Sequence, residues 1–271
     1  MSPPDLLLIL SAQWLSLALI MALAFAAERR TGNSGYVDVT WSFGVALTAV
    51  GFALLPFSSD GGTSSRQMLF AAMIFVWGLR LGTHIAARSR NSHDDPRYAE
   101  LKRAWGPRAG REMFLLLQKQ AIASLPLPFA VFLAAHNPTP ALGLQDVLAV
   151  AIFVVALAGQ TVADRQLRVF TAASHNAGRI CDAGLWRYSR HPNYFFEWLH
   201  WLAYPVAAID LGGAFPSGWL ALLAPVTMYW LLVHVSGIPP LETHMLRKHG
   251  ERYRAYQNRT NAFFPGAMKH V

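Results

Sequence analysis

The stretch that decides the fold spans residues 5–27 and reads DLLLILSAQWLSLALIMALAFAA. It carries no charge after Asp5, and a transmembrane helix needs about 20 mostly apolar residues. Arg29 and Arg30 follow at once, as basic residues do on the cytoplasmic side of many spans. The stretch lacks a basic n-region and a small-residue cleavage site, so it predicts a membrane helix and not a secretory signal peptide.

Similar apolar stretches recur along the chain and predict seven membrane spans in all. The other six are 37–57, 67–87, 113–135, 142–163, 194–211 and 216–236. Segment 194–211 is the weakest, because Glu197, His200 and Asp210 interrupt it. No internal repeat and no Gly/Ser linker divides the chain. We therefore predict a single all-α, polytopic membrane domain over residues 1–271.

Composition supports a membrane protein over a soluble one. The chain has 271 residues, of which 54% are hydrophobic and 14% charged, with a mean hydropathy of +0.28. Soluble domains carry roughly a quarter charged residues, so a disordered chain, a nucleic-acid module and an ordinary soluble enzyme are excluded. The net charge of +8 then indicates a basic membrane face that binds anionic headgroups or cofactors. Cys181 is the single cysteine and cannot form an internal disulfide.

The distribution of basic residues predicts the orientation of the spans. With seven spans, 20 of the 23 Lys and Arg fall on one side, at residues 29–30 and in the segments 88–111, 165–190 and 247–269. Basic loops remain in the cytoplasm. We therefore expect an N-terminus outside the cytoplasm and a cytoplasmic C-terminus.

Several polar residues lie inside these apolar spans, where a charge costs several kcal/mol. Arg80, His84 and Arg88 recur every fourth residue and share one face of the third span. Snorkelling towards the cytoplasmic surface suits Arg88 well and Arg80 poorly. In the second span, Asp38 either caps the helix or serves the site. We predict a functional role for Arg80.

A second polar group lies on the fifth and sixth spans. Gln160 and Asp164 are four residues apart at the cytoplasmic end of the fifth span, where a polar helix end with local ion pairs is the simpler interpretation. In the sixth span Glu197 and Tyr204 follow helical spacing together with Trp201, and His200 lies beside them. A carboxylate, an imidazole and a phenol are therefore expected inside the helix bundle.

The segment between these two spans is the densest in functional side chains. It reads Gly184-Leu-Trp-Arg-Tyr-Ser-Arg-His-Pro-Asn-Tyr-Phe-Phe-Glu197. Pro192 suits the first turn of a helix, and a helix N-terminus favours an anion. Arginine side chains suit phosphates, although a loop that binds only lipid headgroups is an alternative. Residues 241–256 predict a short amphipathic helix on the same face.

Familiar motifs of soluble enzymes are not found in the sequence. There is no Gly-rich nucleotide fingerprint after a strand, no P-loop and no nucleophile elbow. The chain has ten histidines, but none has convincing metal-ligand spacing, so no metal site is predicted.

The run from Gly184 to Glu197 resembles the C-terminal signature of the steroid 5α-reductase superfamily, and most closely its bacterial branch of steroid 5α-reductase-like membrane proteins. The stretches 163–170 and 240–253 also match that branch, as do 37–41 and 77–81. The resemblance covers most of the chain. It implies a seven-helix membrane reductase that uses NADPH to reduce the C=C bond of an enone such as a 3-oxo-Δ4 steroid.

The resemblance also implies roles for individual residues, with the substrate on the helices of 1–135 and the cofactor on residues 142–271. Asn193 and Glu197 match the family's cofactor-contacting residues. The complete set predicted to bind the cofactor is Arg80, His84, Arg88, Gln160, Asp164, Arg168, Arg179, Trp186, Arg187, Tyr188, Arg190, His191, Asn193, Tyr194, Glu197, Glu242 and Tyr253. The chain departs from the animal enzymes at Phe196, where they carry glycine, and at Asp38, which stands where they carry a Gln-Glu pair. No phenol stands at the position of their span-three tyrosine.

Reduction of a conjugated C=C bond needs a hydride at the β-carbon and an acid near the developing enolate oxygen. Candidate acids are Asp38, Tyr204 and His200, and the sequence does not choose among them. The apolar substrate would reach a cavity between spans one to four from the bilayer. We expect the bacterial inner membrane rather than the endoplasmic reticulum, with membrane lipids and no nucleic acid as partners.

Two other functions stay open at this stage. Membrane methyltransferases of the isoprenylcysteine type share an Arg-His-Pro-x-Tyr run and a distal glutamate, and they use S-adenosylmethionine. NADPH carries about four negative charges, so the many arginines favour the reductase. The third candidate is a non-catalytic sterol- or lipid-binding membrane protein, because function lies in the site and not in the fold.

Overall fold

The computed structural model describes residues 3–56, 62–90, 94–139 and 141–269. These ranges form helices, with a longer loop over residues 173–191, and contain no β-strand, which confirms the predicted all-α class. The helices are α1 (Pro3–Thr31), α2 (Gly35–Ala53), α3 (Ser65–Arg90), α4 (Pro96–Trp105), α5 (Ala109–Ser124), α6 (Pro126–Ala135), α7 (Leu144–Ala172), α8 (Pro192–Trp201), α9 (Ala203–Ala208), α10 (Leu223–Trp230), α11 (Ile238–His249) and α12 (Glu251–Arg259).

Within the described residues, six helical segments are long and apolar enough to cross a membrane. They are Pro3–Thr31, Gly35–Ala53, Ser65–Arg90, Arg97–Ala135, Leu144–Ala172 and Pro216–His249. On α1 the leucines Leu7, Leu15 and Leu19 are each at least 60% exposed, as expected of side chains that face lipid. The chain is therefore an integral, multi-pass membrane protein.

The predicted sixth span, 194–211, does not form one long helix. Its residues lie in α8 and α9, which have 10 and 6 residues. Proline at position 205 has no N–H to donate to the carbonyl of Trp201, the last residue of α8. The described part of the chain thus contains six helical segments that meet the length of a span, instead of seven.

The chain divides into two compact units. Unit 1 comprises Met1–Gln145 and Tyr204–Ala224, and unit 2 comprises Asp146–Ala203 and Pro225–Val271. In unit 1, α1, α2 and α3 approach closely through glycines. A methyl group on Gly44 would lie 2.4 Å from Ile20, and one on Gly78 would lie 2.2 Å from the Cβ of Ala46. Helix α6 is apolar on all sides and is buried along its length from Leu127 to Ala135.

Unit 2 joins α7 and α8 to the C-terminal helices α10, α11 and α12. Helix α8 begins with Pro192 in its first turn, as predicted. The predicted helix over 241–256 is in fact two helices, because Gly250 adopts a φ of +54° between them. That conformation suits glycine, and the change of direction separates α11 from α12.

Candidate functional site

Four polar side chains on α7 and α8 pair across the two helices and form what we call the polar seam: Gln160, Asp164, Asn193 and Glu197. Asn193 Nδ2 donates to Asp164 Oδ1 at 3.2 Å. One turn away, Gln160 Nε2 donates to Glu197 Oε2. The members on each helix are four residues apart, so each pair occupies one face of its helix. The seam lies wholly within unit 2.

The two pairs of the seam differ in burial. Gln160 and Glu197 are 4% and 7% exposed, whereas Asp164 and Asn193 are of intermediate exposure. The indole Nε1 of Trp201 lies 3.4 Å from Glu197 Oε1 and donates a weak hydrogen bond to it. The buried pair therefore links the two helices, and the Asp164–Asn193 pair is the more accessible of the two.

The close approach of α7 and α8 depends on Gly159. A methyl group there would lie 2.4 Å from the ring of Phe196. The large ring of Phe196 on α8 thus meets the smallest residue on α7. Gln160 follows Gly159 in the chain and Glu197 follows Phe196, so this packing brings Gln160 and Glu197 together.

His200 is buried behind the seam at 2% exposure. Its Nδ1 donates to the carbonyl oxygen of Glu197 at 2.9 Å. The rings of Phe153 and Trp201 lie 6.1 and 4.3 Å from the imidazole, centroid to centroid. The bond through Nδ1 orients the ring against the backbone of its own helix.

Beside the seam, Glu242 of α11 binds the loop that precedes α8. Arg190 donates to Glu242 through Nε at 2.7 Å and through Nη2 at 3.1 Å. His191 Nε2 donates to Glu242 Oε1 at 3.0 Å, and Gln257 Nε2 donates to Oε2 at 2.7 Å. We call these four residues the Glu242 clamp. Its carboxylate accepts four hydrogen bonds, two of them from one guanidinium.

The same loop also holds the C-terminal segment of the described chain. Arg190 Nη1 donates to the carbonyls of Gln257 and Thr260, the first at 3.1 Å. Ser189 Oγ donates to the carbonyl of Phe263 at 2.8 Å, and the N–H of Gly266 donates to the carbonyl of Tyr188 at 3.0 Å. Residues 257–266 are thus bound to loop residues about 70 positions earlier in the chain.

Burial also changes the protonation of His191. Its side chain is 3% exposed. Burial lowers the pKa of His191 below its usual 6.5, although the hydrogen bond and the charge of Glu242 act in the opposite direction. The imidazole is accordingly neutral at pH 7 and donates its Nε2 hydrogen to the carboxylate.

The remaining cofactor candidates of unit 2 lie on or beside this loop. The side chains of Arg168, Arg179 and Arg187 are exposed to solvent, so they are accessible to an anion. Trp186 is 8% exposed and donates its Nε1 hydrogen to the carbonyl of Ala163 at 3.0 Å. The other three are tyrosines of differing exposure: Tyr188 is exposed, Tyr194 is intermediate and stacks on His191, and Tyr253 is buried.

In unit 1, Asp38 belongs to a polar cluster at the start of α2. Arg97 pairs with it, and the hydroxyl of Tyr98 donates to Asp38 Oδ1 at 3.0 Å. Gln120 Nε2 donates in turn to the Tyr98 hydroxyl at 3.2 Å. The N-cap of α2 is Ser34, so the interpretation of Asp38 as the helix cap is wrong.

Asp95 fixes the position of Arg97 in this cluster. It caps α4, where it accepts the backbone N–H of Arg97 at 3.0 Å, and it also accepts two bonds from the guanidinium. Burial alone would raise the pKa of Asp95, but the hydrogen bonds and charge of Arg97 and the charge of Arg88 lower it. The guanidinium therefore lies between two carboxylates.

The other candidates of unit 1 lie on α3 and α9. Arg80 and His84 are of intermediate exposure and Arg88 is exposed, one turn apart along α3. Tyr204 is fully buried in unit 1, with its ring 6.2 Å from that of Phe70. The structure thus brings the seam, the clamp and the loop together in unit 2. Asp38, Tyr204 and the α3 residues belong to unit 1.

Several functional contacts were not anticipated from the sequence. Arg97 and Tyr98 contact Asp38 from about 60 positions away, and Gln257 completes the Glu242 clamp. Only the Asp-Pro pair at 95–96, a typical helix start, gave a local signal for the segment that carries Arg97. Among the described residues, no group of three or more His, Cys, Asp or Glu side chains is placed to hold a metal ion.

Comparison with known proteins identifies one family. Residues 24–260 match DUF1295, described as a protein family of unknown function. No curated protein and no solved structure matches the chain. The matched region contains α2 to α12, and with them the polar seam, the Glu242 clamp and the Asp38 cluster. The chain therefore belongs to the DUF1295 family.

Proposed function

We propose that this protein is an NADPH-dependent membrane reductase that reduces the C=C bond of a lipophilic enone, such as a 3-oxo-Δ4 steroid, in the manner of the steroid 5α-reductase superfamily. The observation that carries the proposal is the polar seam together with three exposed arginines, Arg168 on α7 and Arg179 and Arg187 on the loop before α8, all in unit 2. Asn193 and Glu197, which resemble the family's cofactor-contacting residues, both belong to the seam.

The side chains of unit 2 have the chemistry to bind a dinucleotide phosphate. Asp164 and Asn193 offer a carboxylate and an amide at intermediate exposure, which suit a carboxamide or ribose hydroxyls. Arg168, Arg179 and Arg187 suit phosphate groups. When bound, NADPH would supply the hydride.

The chain's own residues would position the cofactor and supply the proton. Gln160 and Glu197 hold α7 against α8, so the accessible pair of the seam keeps its position. The Glu242 clamp holds the loop that carries Arg187. Asp38, Tyr204 and His200 are proposed as candidate acids for the enolate oxygen, and a dry, apolar site would strengthen the chosen hydrogen bond.

We also propose the topology that the basic residues predict. The predicted sixth span would be formed by α8 with α9, which together cover residues 192–208, and it would bring the number of spans to seven. The basic loops would face the cytoplasm of a bacterial cell. In that orientation the polar seam and the Glu242 clamp meet soluble NADPH, while a lipophilic substrate arrives from the bilayer.

The test is cofactor binding by the purified full chain in detergent. We expect NADPH to co-purify or bind, and Asn193→Ala to weaken it at least tenfold without a change in melting temperature. Arg254→Ala is the matched control, because Arg254 is 66% exposed and pairs only locally with Glu251. Recovery of S-adenosylmethionine in place of NADPH would replace the reductase with a methyltransferase.

Preference for NADPH over NADH provides a second test. The two cofactors differ by one phosphate of nearly two negative charges. A hydrogen bond to a charged group contributes about 1.5–3 kcal/mol, or roughly one to two orders of magnitude in affinity. Arg179→Ala should therefore weaken NADPH about 10- to 100-fold more than NADH. If Arg179→Ala lowers the affinities for NADPH and NADH equally, Arg179 does not contact the phosphate that distinguishes the two cofactors.

A further inference from the structure

A cavity of about 340 Å³ lies between the loop before α8 and the C-terminal segment, within unit 2. Two arginines, Arg187 and Arg259, line it together with the acidic Asp182, the polar Thr260 and three small or apolar residues, Ala183, Gly184 and Met268. The polar seam and the Glu242 clamp contribute no side chain to it. We propose that this cavity is a binding site for a phosphomonoester group.

The charges of the cavity favour a dianion over a neutral ligand. Asp182 pairs with Arg259, so one positive charge is balanced. Within the described residues, Arg187 has neither an ion-pair nor a hydrogen-bond partner. The pair still leaves donors on Arg259, since a guanidinium carries five N–H groups. Two guanidinium groups from separate segments of the chain can then bind the oxygens of one phosphate.

The backbone that carries the two arginines is ordered before any ligand binds. On the loop side, Gly184 adopts a φ of +61°, and a side chain there would collide with Gln166. Gln166 Oε1 accepts the N–H of Leu185 at 2.9 Å, which anchors the turn that leads to Arg187. Such preorganisation reduces the ordering cost of binding.

The opposite wall is anchored in the same way. Tyr256 donates its hydroxyl hydrogen to the carbonyl of Trp186, one residue before Arg187. The N–H of Lys269 donates to the carbonyl of Arg259 at 2.9 Å, so the segment that carries Met268 closes the cavity. The two arginines are thus attached to walls that hydrogen bonds hold together.

The phosphate can come from a nucleotide or from a lipid headgroup, and two probes distinguish them. Adenosine 2′-monophosphate represents a soluble phosphomonoester, with adenosine as its uncharged control. Nanodiscs that contain phosphatidic acid represent the lipid, with phosphatidylcholine nanodiscs as the control. The inference rests on the proposed function in that Arg187 is already among the arginines proposed for the cofactor's phosphates, but failure of the cavity to bind either probe would leave NADPH binding at the polar seam untouched.

The variants are Arg187→Gln and Arg259→Gln in the purified full chain, with Arg254→Gln on the exposed side of α12 as the matched control. We expect each of the first two to weaken at least one phosphate probe tenfold or more at low salt. If only the binding of adenosine 2′-monophosphate weakens, the cavity binds a soluble phosphomonoester. Loss with phosphatidic acid alone assigns it to a lipid headgroup.

A separate measurement excludes a folding defect as the cause. Arg187→Gln removes no ion pair or side-chain hydrogen bond that the described residues show, so its melting temperature should equal that of the control. This variant therefore decides the question if Arg259→Gln is less stable. Binding should also weaken as salt rises, because the arginines are exposed. If both probes bind Arg187→Gln within twofold of Arg254→Gln, the cavity is not a phosphate site.

Discussion

The Glu242 clamp predicts a large loss of stability when its carboxylate is removed. The side chains of Arg190 and Glu242 are 9% and 13% exposed, so their ion pair is largely screened from water. Removal of one partner of a buried pair leaves an uncompensated charge and costs about 3–5 kcal/mol. Glu242→Ala also leaves His191 and Gln257 without their acceptor.

This magnitude can be measured as a melting temperature. For chains of this size, 1 kcal/mol shifts the melting temperature by about 2–4 °C. We therefore expect Glu242→Ala to melt at least about 6 °C below the parent protein. Glu242→Gln, which keeps an acceptor oxygen but loses the charge, should fall between the two. Tryptophan fluorescence of the full chain in detergent provides the assay.

Glu251→Ala is the matched control, since Glu251 begins the next helix and forms an exposed ion pair. Its side chain is 83% exposed, and that of its partner Arg254 is 66% exposed. Such pairs contribute about 0–1 kcal/mol. If Glu242→Ala melts within 2 °C of Glu251→Ala, the clamp does not stabilise the loop. A loss of cofactor binding in that case would make Glu242 a ligand contact.

Of three other predictions, two use the same purified protein and the third uses intact cells. Because burial lowers the pKa of His191, its neutral form stabilises the fold above pH 6.5, and this contribution is lost as the pH falls below that value. The melting temperature of His191→Gln should therefore fall less between pH 7.5 and 5.5 than that of the parent protein. An equal fall in both proteins would refute this assignment. A methyl group at Gly159 would lie 2.4 Å from the phenyl ring on α8, so Gly159→Ala should lower the melting temperature by several degrees, whereas no change would show that the ring can move away. In a Cys181→Ser background, cysteines at Thr63 and Arg108 should be labelled from opposite sides of the membrane, and labelling from one side would overturn the proposed topology.

The helical content was predictable because runs of apolar residues of the right length have few other stable forms in a membrane. The weak sixth segment shows where this reasoning fails. A hydropathy average treats residues 194–211 as one unit, whereas a helix requires a continuous series of backbone hydrogen bonds. The proline at 205 interrupts that series, so α8 ends at Trp201.

The candidate site was predictable as two helix faces and not as a set of contacts. The four-residue spacing of Gln160 with Asp164, and of Asn193 with Glu197, placed each pair on one face. Nothing local in the sequence indicated that the two faces would meet across 29 to 37 positions of chain. The same limit applies to the Glu242 clamp, whose residues come from three separate segments.

The hydrogen bonds between the loop before α8 and residues 257–266 have a consequence for the biogenesis of the protein. The complete set of partners of Ser189 and Arg190 is present only when translation has passed residue 263, long after the loop itself has been synthesised. A nascent chain that stalls earlier leaves that loop without the contacts that order it. Synthesis of residues 257–266 is therefore a condition for completion of the site, and products terminated before them contain the loop residues without the segment that fixes them in place.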